Sequence, residues 1–250
     1  DLHSFPTRRS SDLLSSPLVD AATPVASTPW SRLAPAMCAR PGLLIVLGVA
    51  LAAAGRPLLW MNVLIIPVDV VTLLLVHRLL RAEGRGLADL LRPVRGGDIA
   101  WGLLCGLIVV LAWFPASFIA GLVAYRGPMP TAAYQSVPLW IALVGVTIMP
   151  VTIGLAEEAL YRGYLQPRLA GVLGQARAVI AASAFFAVQH IAFAPFDPRA
   201  MVFGIVRTFL AGLVFAGLFL WRRRVMPLAV GHWLIDLLGL GLPLLLAALA

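Results

Sequence analysis

Two adjacent glutamates, Glu157 and Glu158, stand in the stretch GLAEEALYRGYLQPR directly after an apolar run, with Arg162 completing the local charge pattern. A carboxylate at the centre of a bilayer costs about 2.5 to 3.5 kcal/mol, so such groups face a bundle interior or a wet cavity, where they pair or work. The i, i+4 spacing puts Glu158 and Arg162 on one helix face as an ion pair. Glu157 points about 100° away from its neighbour and needs a partner or a task of its own. Further along, His190 closes the run AFFAVQH just ahead of Pro195, and His232 and Asp236 share a helix face in GHWLID. Taken singly, His190 reads as an interfacial histidine, and Asp236 as the group that holds the His232 imidazole. Taken together, Glu157, His190, His232 and Asp236 on three separate apolar segments are a set that can position water, deprotonate it and stabilise an oxyanion.

The elements that must carry these residues are membrane helices. Of the 250 residues 61% are apolar and 12% charged, and the mean hydropathy is +0.94, beyond what a water-soluble surface permits. Apolar runs at Leu43 to Ala54, Leu58 to Val76, Ile99 to Tyr125, Val137 to Ala156, Ala178 to Ala194, Met201 to Trp221 and Leu228 to Leu249 predict seven spans, the first short for the roughly 20 residues a span needs. Arginine-rich connections (Arg78 to Arg95; Arg162, Arg168 and Arg177; Arg222 to Arg224) alternate with connections carrying a single arginine: Arg56, Arg126 and Arg199. Under the positive-inside rule this places the N-terminus in the cytoplasm and the C-terminus outside. Asp98 is set aside with the Gly96-Gly97 loop. Asp69 and Arg207, within the second and sixth spans, read as a structural ion pair or snorkelling side chains.

Residues 1–13, DLHSFPTRRSSDL, back-translate codon for codon into a common sequencing-library adapter and are excluded from the fold. Residues 14–40, rich in Ser, Pro, Thr and Ala, are expected to be disordered, leaving residues 41–250 as one membrane domain. All 19 basic residues are arginine, which reads as coding bias, so the net charge of +8 is not taken as a nucleic-acid footprint. Two cysteines, Cys38 and Cys105, exclude a disulfide framework and a Cys₄ or Cys₂His₂ zinc site.

EEALYR (Glu157 to Arg162), FAVQH (Phe186 to His190) and HWLID (His232 to Asp236) resemble, in order, the motifs EExxxR, FxxxH and HxxxN/D of the CPBP family, the CAAX protease and bacteriocin-processing proteins. That family includes the type II CAAX prenyl endopeptidases. The likeness covers about Val151 to Leu238, within a core of about 137–249. It implies an intramembrane endopeptidase in which Glu157 activates water together with His190. Glu158 and Arg162 would form the supporting ion pair, while His232 and Asp236 would face the oxyanion or bind a metal.

Asp236 stands where the prenyl proteases tend to carry Asn, and an ionised Asp cannot donate to an oxyanion. It fits a metal ligand or an orienter of His232 better. Glu157, His190, His232 and Asp236 would suit zinc or another divalent ion with an open water position, but HExxH is absent, so both the metal and the metal-free glutamate mechanism stay open.

One difficulty concerns depth. Counted from Arg177, His190 lies about 20 Å into its span, whereas Glu157 and His232 are nearer the cytoplasmic ends of theirs. Either the fifth helix tilts strongly or Gln166 to Gln175 dips into the membrane.

The expectation is an all-α polytopic bundle of about seven transmembrane helices with a cytoplasm-facing cavity. It would cut a membrane-associated peptide or protein, in a prokaryotic cytoplasmic membrane where prenylated substrates are not expected. The partners are the lipid bilayer and a peptide substrate, with no nucleic acid; the oligomeric state is open. The rivals are a non-catalytic scaffold or immunity protein that binds a peptide in the same cavity, and a small ion-coupled carrier.

Overall fold

The computed structural model describes residues 28–56, 58–129 and 137–250. Residues 1–13, read as adapter-derived, lie outside them, as do the 14–27 part of the segment expected to be disordered and most of the loop after Pro128. The described residues are helical and contain no strand. Seven helices are long and apolar enough to cross a membrane: α1 (Trp30–Ala53), α2 (Leu58–Arg81), α4 (Gly96–Tyr125), α5 (Leu139–Leu173), α6 (Gln175–Phe193), α7 (Pro198–Arg222) and α8 (Val225–Leu249). A short α3 (Leu87–Leu91) joins α2 to α4. The protein is an integral membrane helix bundle, and most of its large exposed side chains are apolar, as a lipid-facing surface requires.

Two sequence expectations need correction, and both fall on charged residues. Residues 30–40 are not disordered: α1 begins at Trp30 after an extended Pro29, which makes the first span 24 residues long and moves the start of the membrane domain forward from residue 41. Its Ser, Pro, Thr and Ala content made this stretch read as disordered, yet Arg40 is buried in the bundle between two carboxylates. The fourth span does not stop at Ala156 either; α5 runs on through Glu157, Glu158 and Arg162 to Leu173. A hydropathy reading ends the helix at its charges, but here every one of them is compensated inside the protein.

That continuation removes the depth difficulty. Chain reversal occurs at Gly174, whose φ of 81° and ψ of 159° lie in a region essentially reserved for glycine. The end of α5 then packs back along α6. Glu157 is 17 residues before this turn and His190 is 16 after it, each about 25 Å away along its helix. They reach similar depth without a steep tilt of α6 or a dip of residues 166–175.

At the end of the bundle where α2 and α5 finish and α4 and α8 begin, the arginine-rich connections are tied together. Arg168 pairs with Glu83, and Arg224 pairs with Asp98 at 2.6 Å. Asp98 is thus not a loop residue: it sits in the first turn of α4 and accepts from Arg95 N at 2.8 Å. Close approach of helices depends on missing Cβ atoms. A Cβ on Gly106 of α4 would stand 2.8 Å from Leu234 Cδ2, and one on Gly154 of α5 would stand 2.7 Å from Ala229 O of α8. Small residues at such crossings let backbones meet, and Gly154 thereby brings the Glu157–Glu158 turn against His232.

Candidate active site

Each of the three motifs sits where a helix departs from α geometry. Glu157 is the last residue of an α segment, and Glu158–Leu165 continues as π-helix. Asp236 likewise precedes a π segment, Leu237–Gly241. His190 lies in a 3₁₀ segment, Gln189–Phe193, that ends α6. Both π segments are followed by a proline in the first turn of the next α stretch, Pro167 and Pro243. Proline offers no N–H to the preceding turn, and in α5 the Arg168 guanidinium reaches Gly163 O, the carbonyl four residues before Pro167, at 3.5 Å and donates to Tyr164 O at 2.8 Å. π segments concentrate at functional positions because they re-aim side chains that a regular helix would spread apart.

At the α5–α8 crossing, Glu158 Oε1 accepts from Arg162 Nη1 at 2.9 Å and lies 2.8 Å from His232 Nδ1. Arg162 also donates to Gly212 O of α7 at 3.3 Å, and its guanidinium lies over the Phe186 and Phe215 rings at 4.6 and 5.0 Å. The His232 ring stacks on Phe215 with centroids 4.9 Å apart. The expected Glu158–Arg162 pair is therefore present, and Glu158 has a second connection: it holds His232 by Nδ1. Asp236 does not take that role. Its Oδ2 is 3.8 Å from His232 Nε2, the same nitrogen that Glu157 Oε2 approaches at 3.5 Å.

Glu157 is divided between two environments. Its Oε1 accepts from Arg40 Nη2 of α1 and from Gln189 Nε2 of α6, both at 2.8 Å. Its Oε2 faces His232. Beyond Oε1 the network continues: Arg40 donates to Asp69 Oδ1 of α2 at 2.5 Å and to Gln189 Oε1 at 3.1 Å, and Tyr161 OH donates to Gln189 Oε1 at 2.9 Å. Asp69 therefore pairs with Arg40 and not with Arg207. Arg207 instead lies over the rings of Trp113 and Phe203 at 4.5 and 4.8 Å.

His190 comes to the edge of this cluster. Its Nδ1 donates to Phe186 O at 2.9 Å, which leaves Nε2 as the available nitrogen. Among the described residues it makes no ion pair with Glu157. It is linked to His232 through the Phe186 ring, whose centroid is 5.3 Å from one imidazole and 6.0 Å from the other. Glu157, Glu158, Arg162, His232 and Asp236 are all buried, whereas His190 is half-buried. The buried members form a polar core, with His190 at its edge.

Within that core Asp236 Oδ2 is buried without a hydrogen-bond partner. Separations of 3.5 and 3.8 Å from His232 Nε2 are longer than good direct hydrogen bonds. Glu157 Oε2 and Asp236 Oδ2 thus both face His232 Nε2.

Arg40, Asp69, Gln189 and Tyr161 escaped the motif reading as members of the site. Asp69 and Gln189 carried a signal, an acid inside an apolar run and a polar neighbour of His190. Arg40 carried none, since it lies in the stretch expected to be disordered.

Residues 136–238 match the family described as type II CAAX prenyl endopeptidase Rce1-like. This segment is similar to that family over 103 of the chain's 250 residues. It contains all three motifs, from α5 to the start of the second π segment, and excludes α1 and α2. No curated protein and no solved structure matches the chain significantly. Of the donors a metal would use, Glu157 Oε1 is committed to Arg40 and Gln189 and His232 Nδ1 to Glu158, which leaves Glu157 Oε2, His232 Nε2 and Asp236 Oδ2 facing one another and His190 at the edge. Among the described residues no three His, Cys, Asp or Glu side chains are grouped to hold a metal ion. Glu157, His232 and Asp236 stand in a hydrogen-bonded and ion-paired cluster, with His190 at its edge.

Proposed function

We propose that the Rce1-like core is an intramembrane endopeptidase acting on a membrane-associated peptide or protein, with Glu157 as general base. The observation that carries this reading is the pairing of Glu157 Oε2 with His232 Nε2 at 3.5 Å beside the orphaned Asp236 Oδ2. Oε1 of Glu157 is held by two donors, so the carboxylate presents one defined oxygen. A water between Oε2, His232 and Asp236 loses a proton to Glu157, and the resulting hydroxide attacks the scissile carbonyl carbon. His232, braced at Nδ1 by Glu158 and carrying a proton on Nε2 as well, as an imidazolium, donates to the developing oxyanion, and positioned donors of this kind act strongly in a dry site. Collapse breaks the C–N bond, and the proton on Glu157 passes to the leaving amine. His190, the half-buried member, meets the substrate on entry with its Nε2.

Cleavage of a library of membrane-associated peptides by detergent-purified protein is the test. Wild type cuts, and Glu157→Gln and His232→Ala lose about 10²- to 10⁴-fold, the range of general acid–base contributions. Equal cleavage by all three removes the enzyme reading. A non-catalytic peptide-binding scaffold is the second reading, favoured by the burial of every carboxylate in the cluster; it predicts peptide binding by all three proteins and cleavage by none.

A further inference from the structure

The family match begins at residue 136, yet the strongest hold on Glu157 comes from outside it. Arg40 is 1% exposed in α1, and its guanidinium meets acceptors from three other helices: Asp69 of α2, Glu157 of α5 and Gln189 of α6. Thr72 Oγ1, one turn beyond Asp69, lies 3.4 Å from the same Nη1 and donates in turn to Val68 O at 2.7 Å. The planar fork of arginine can serve several acceptors in fixed directions, which a lysine ammonium cannot.

We propose that Arg40, anchored by Asp69, is a positioning residue for Glu157. It holds Oε1 so that Oε2 alone addresses His232, and it supplies from α1 a positive charge to the cluster in addition to that of Arg162. This rests on the endopeptidase reading of the same site and makes α1 and α2 part of the catalytic unit. An ion pair serving stability alone would require no particular split of the Glu157 oxygens. Here the guanidinium and Gln189 share Oε1, and Gln189 is itself oriented by Arg40 Nε and Tyr161 OH. The side chain next to His190 is thereby recruited to the same oxygen.

Steady-state cleavage by size-exclusion-purified variants, normalised to folded protein, separates positioning from structure. Arg40→Met is expected to lower kcat about tenfold to a hundredfold, the loss typical of a hydrogen bond to a charged group, with KM within about twofold of wild type. Arg40→Lys recovers part of kcat, because it returns the charge without the fork. Asp69→Asn, which keeps Arg40 but loosens its anchor, falls between Arg40→Met and wild type. Arg168→Met, which removes the separate α5 pair to Glu83, leaves kcat per folded enzyme unchanged. Should Arg40→Met fail to fold, Arg40→Lys and Asp69→Asn carry the test.

Wild-type kcat in every Arg40 and Asp69 variant that folds overturns the proposal while the endopeptidase reading stands. A fall in kcat for Arg168→Met equal to that of the Arg40 and Asp69 variants overturns it as well, since the effect is then general to helix packing. Absence of cleavage by the wild type removes the reading and the proposal with it.

Discussion

The division of labour between the two adjacent glutamates is a matter of which atom each side chain offers. Glu158 is fully buried and spends Oε1 on Arg162 and on His232 Nδ1; Glu157 leaves Oε2 facing His232 Nε2. Glu158→Gln keeps the shape but weakens the charge-assisted hydrogen bond that orients the imidazole. Such bonds contribute about 1.5 to 3 kcal/mol, so kcat should fall about ten- to a hundredfold with little change in KM, read in the same cleavage assay. The commitments of Glu157 Oε1 and His232 Nδ1 also bear on metal. Elemental analysis of detergent-purified wild type is expected to find less than one divalent ion per chain, with Asp236→Asn unchanged. A stoichiometric ion that Asp236→Asn removes would restore the metal-ligand role for that residue.

At the scale of elements, three departures from α geometry converge in a bundle whose helices cross closely at glycines. Gly154 is the most telling of these, since a Cβ there would stand 2.7 Å from Ala229 O and 3.1 Å from Trp233 N, one residue from His232. Backbone on both sides cannot yield as a flexible side chain would. Gly154→Val should cost about 1 to 3 kcal/mol by overpacking and, by displacing α5 from α8, about a hundredfold in kcat, as a misplacement of about 1 Å does in an oriented site. Thermal unfolding in detergent together with kcat checks both parts. A variant that is destabilised yet fully active would show that the α5–α8 distance does not matter to the reaction.

The whole molecule is organised around one polar core joined by α1, α2, α5, α6 and α8 within an otherwise apolar bundle. Breaking a buried ion pair leaves an uncompensated charge, at about 3 to 5 kcal/mol, and Arg40 serves two carboxylates at once. The ion pairs Arg168–Glu83 and Arg224–Asp98 gather the arginine-rich connections at one end of the bundle. We propose, from the positive-inside rule, that this end is cytoplasmic. Single cysteines replacing Arg85 and Pro128, in a background lacking Cys38 and Cys105, test this with a membrane-impermeant thiol reagent on intact cells. Position 128 should label at once and position 85 only after lysis; the reverse pattern inverts the topology.

The residue types and periodicity by themselves determined that the chain is an all-helical membrane protein with about seven spans. Runs of about 20 apolar residues have no other stable form in lipid. Three short motifs also singled out Glu157, Glu158, Arg162, His190, His232 and Asp236 as candidates for one site, because polar side chains on such helices need partners. What only the tertiary structure decided is which atom meets which. Glu158 rather than Asp236 orients His232, His190 stands at the edge, and Arg40 reaches Glu157 from more than a hundred residues away. Hydropathy treats a charge as the end of a helix. Whether it is instead a buried, paired charge depends on a partner from another helix, and that pairing is settled by how the helices pack.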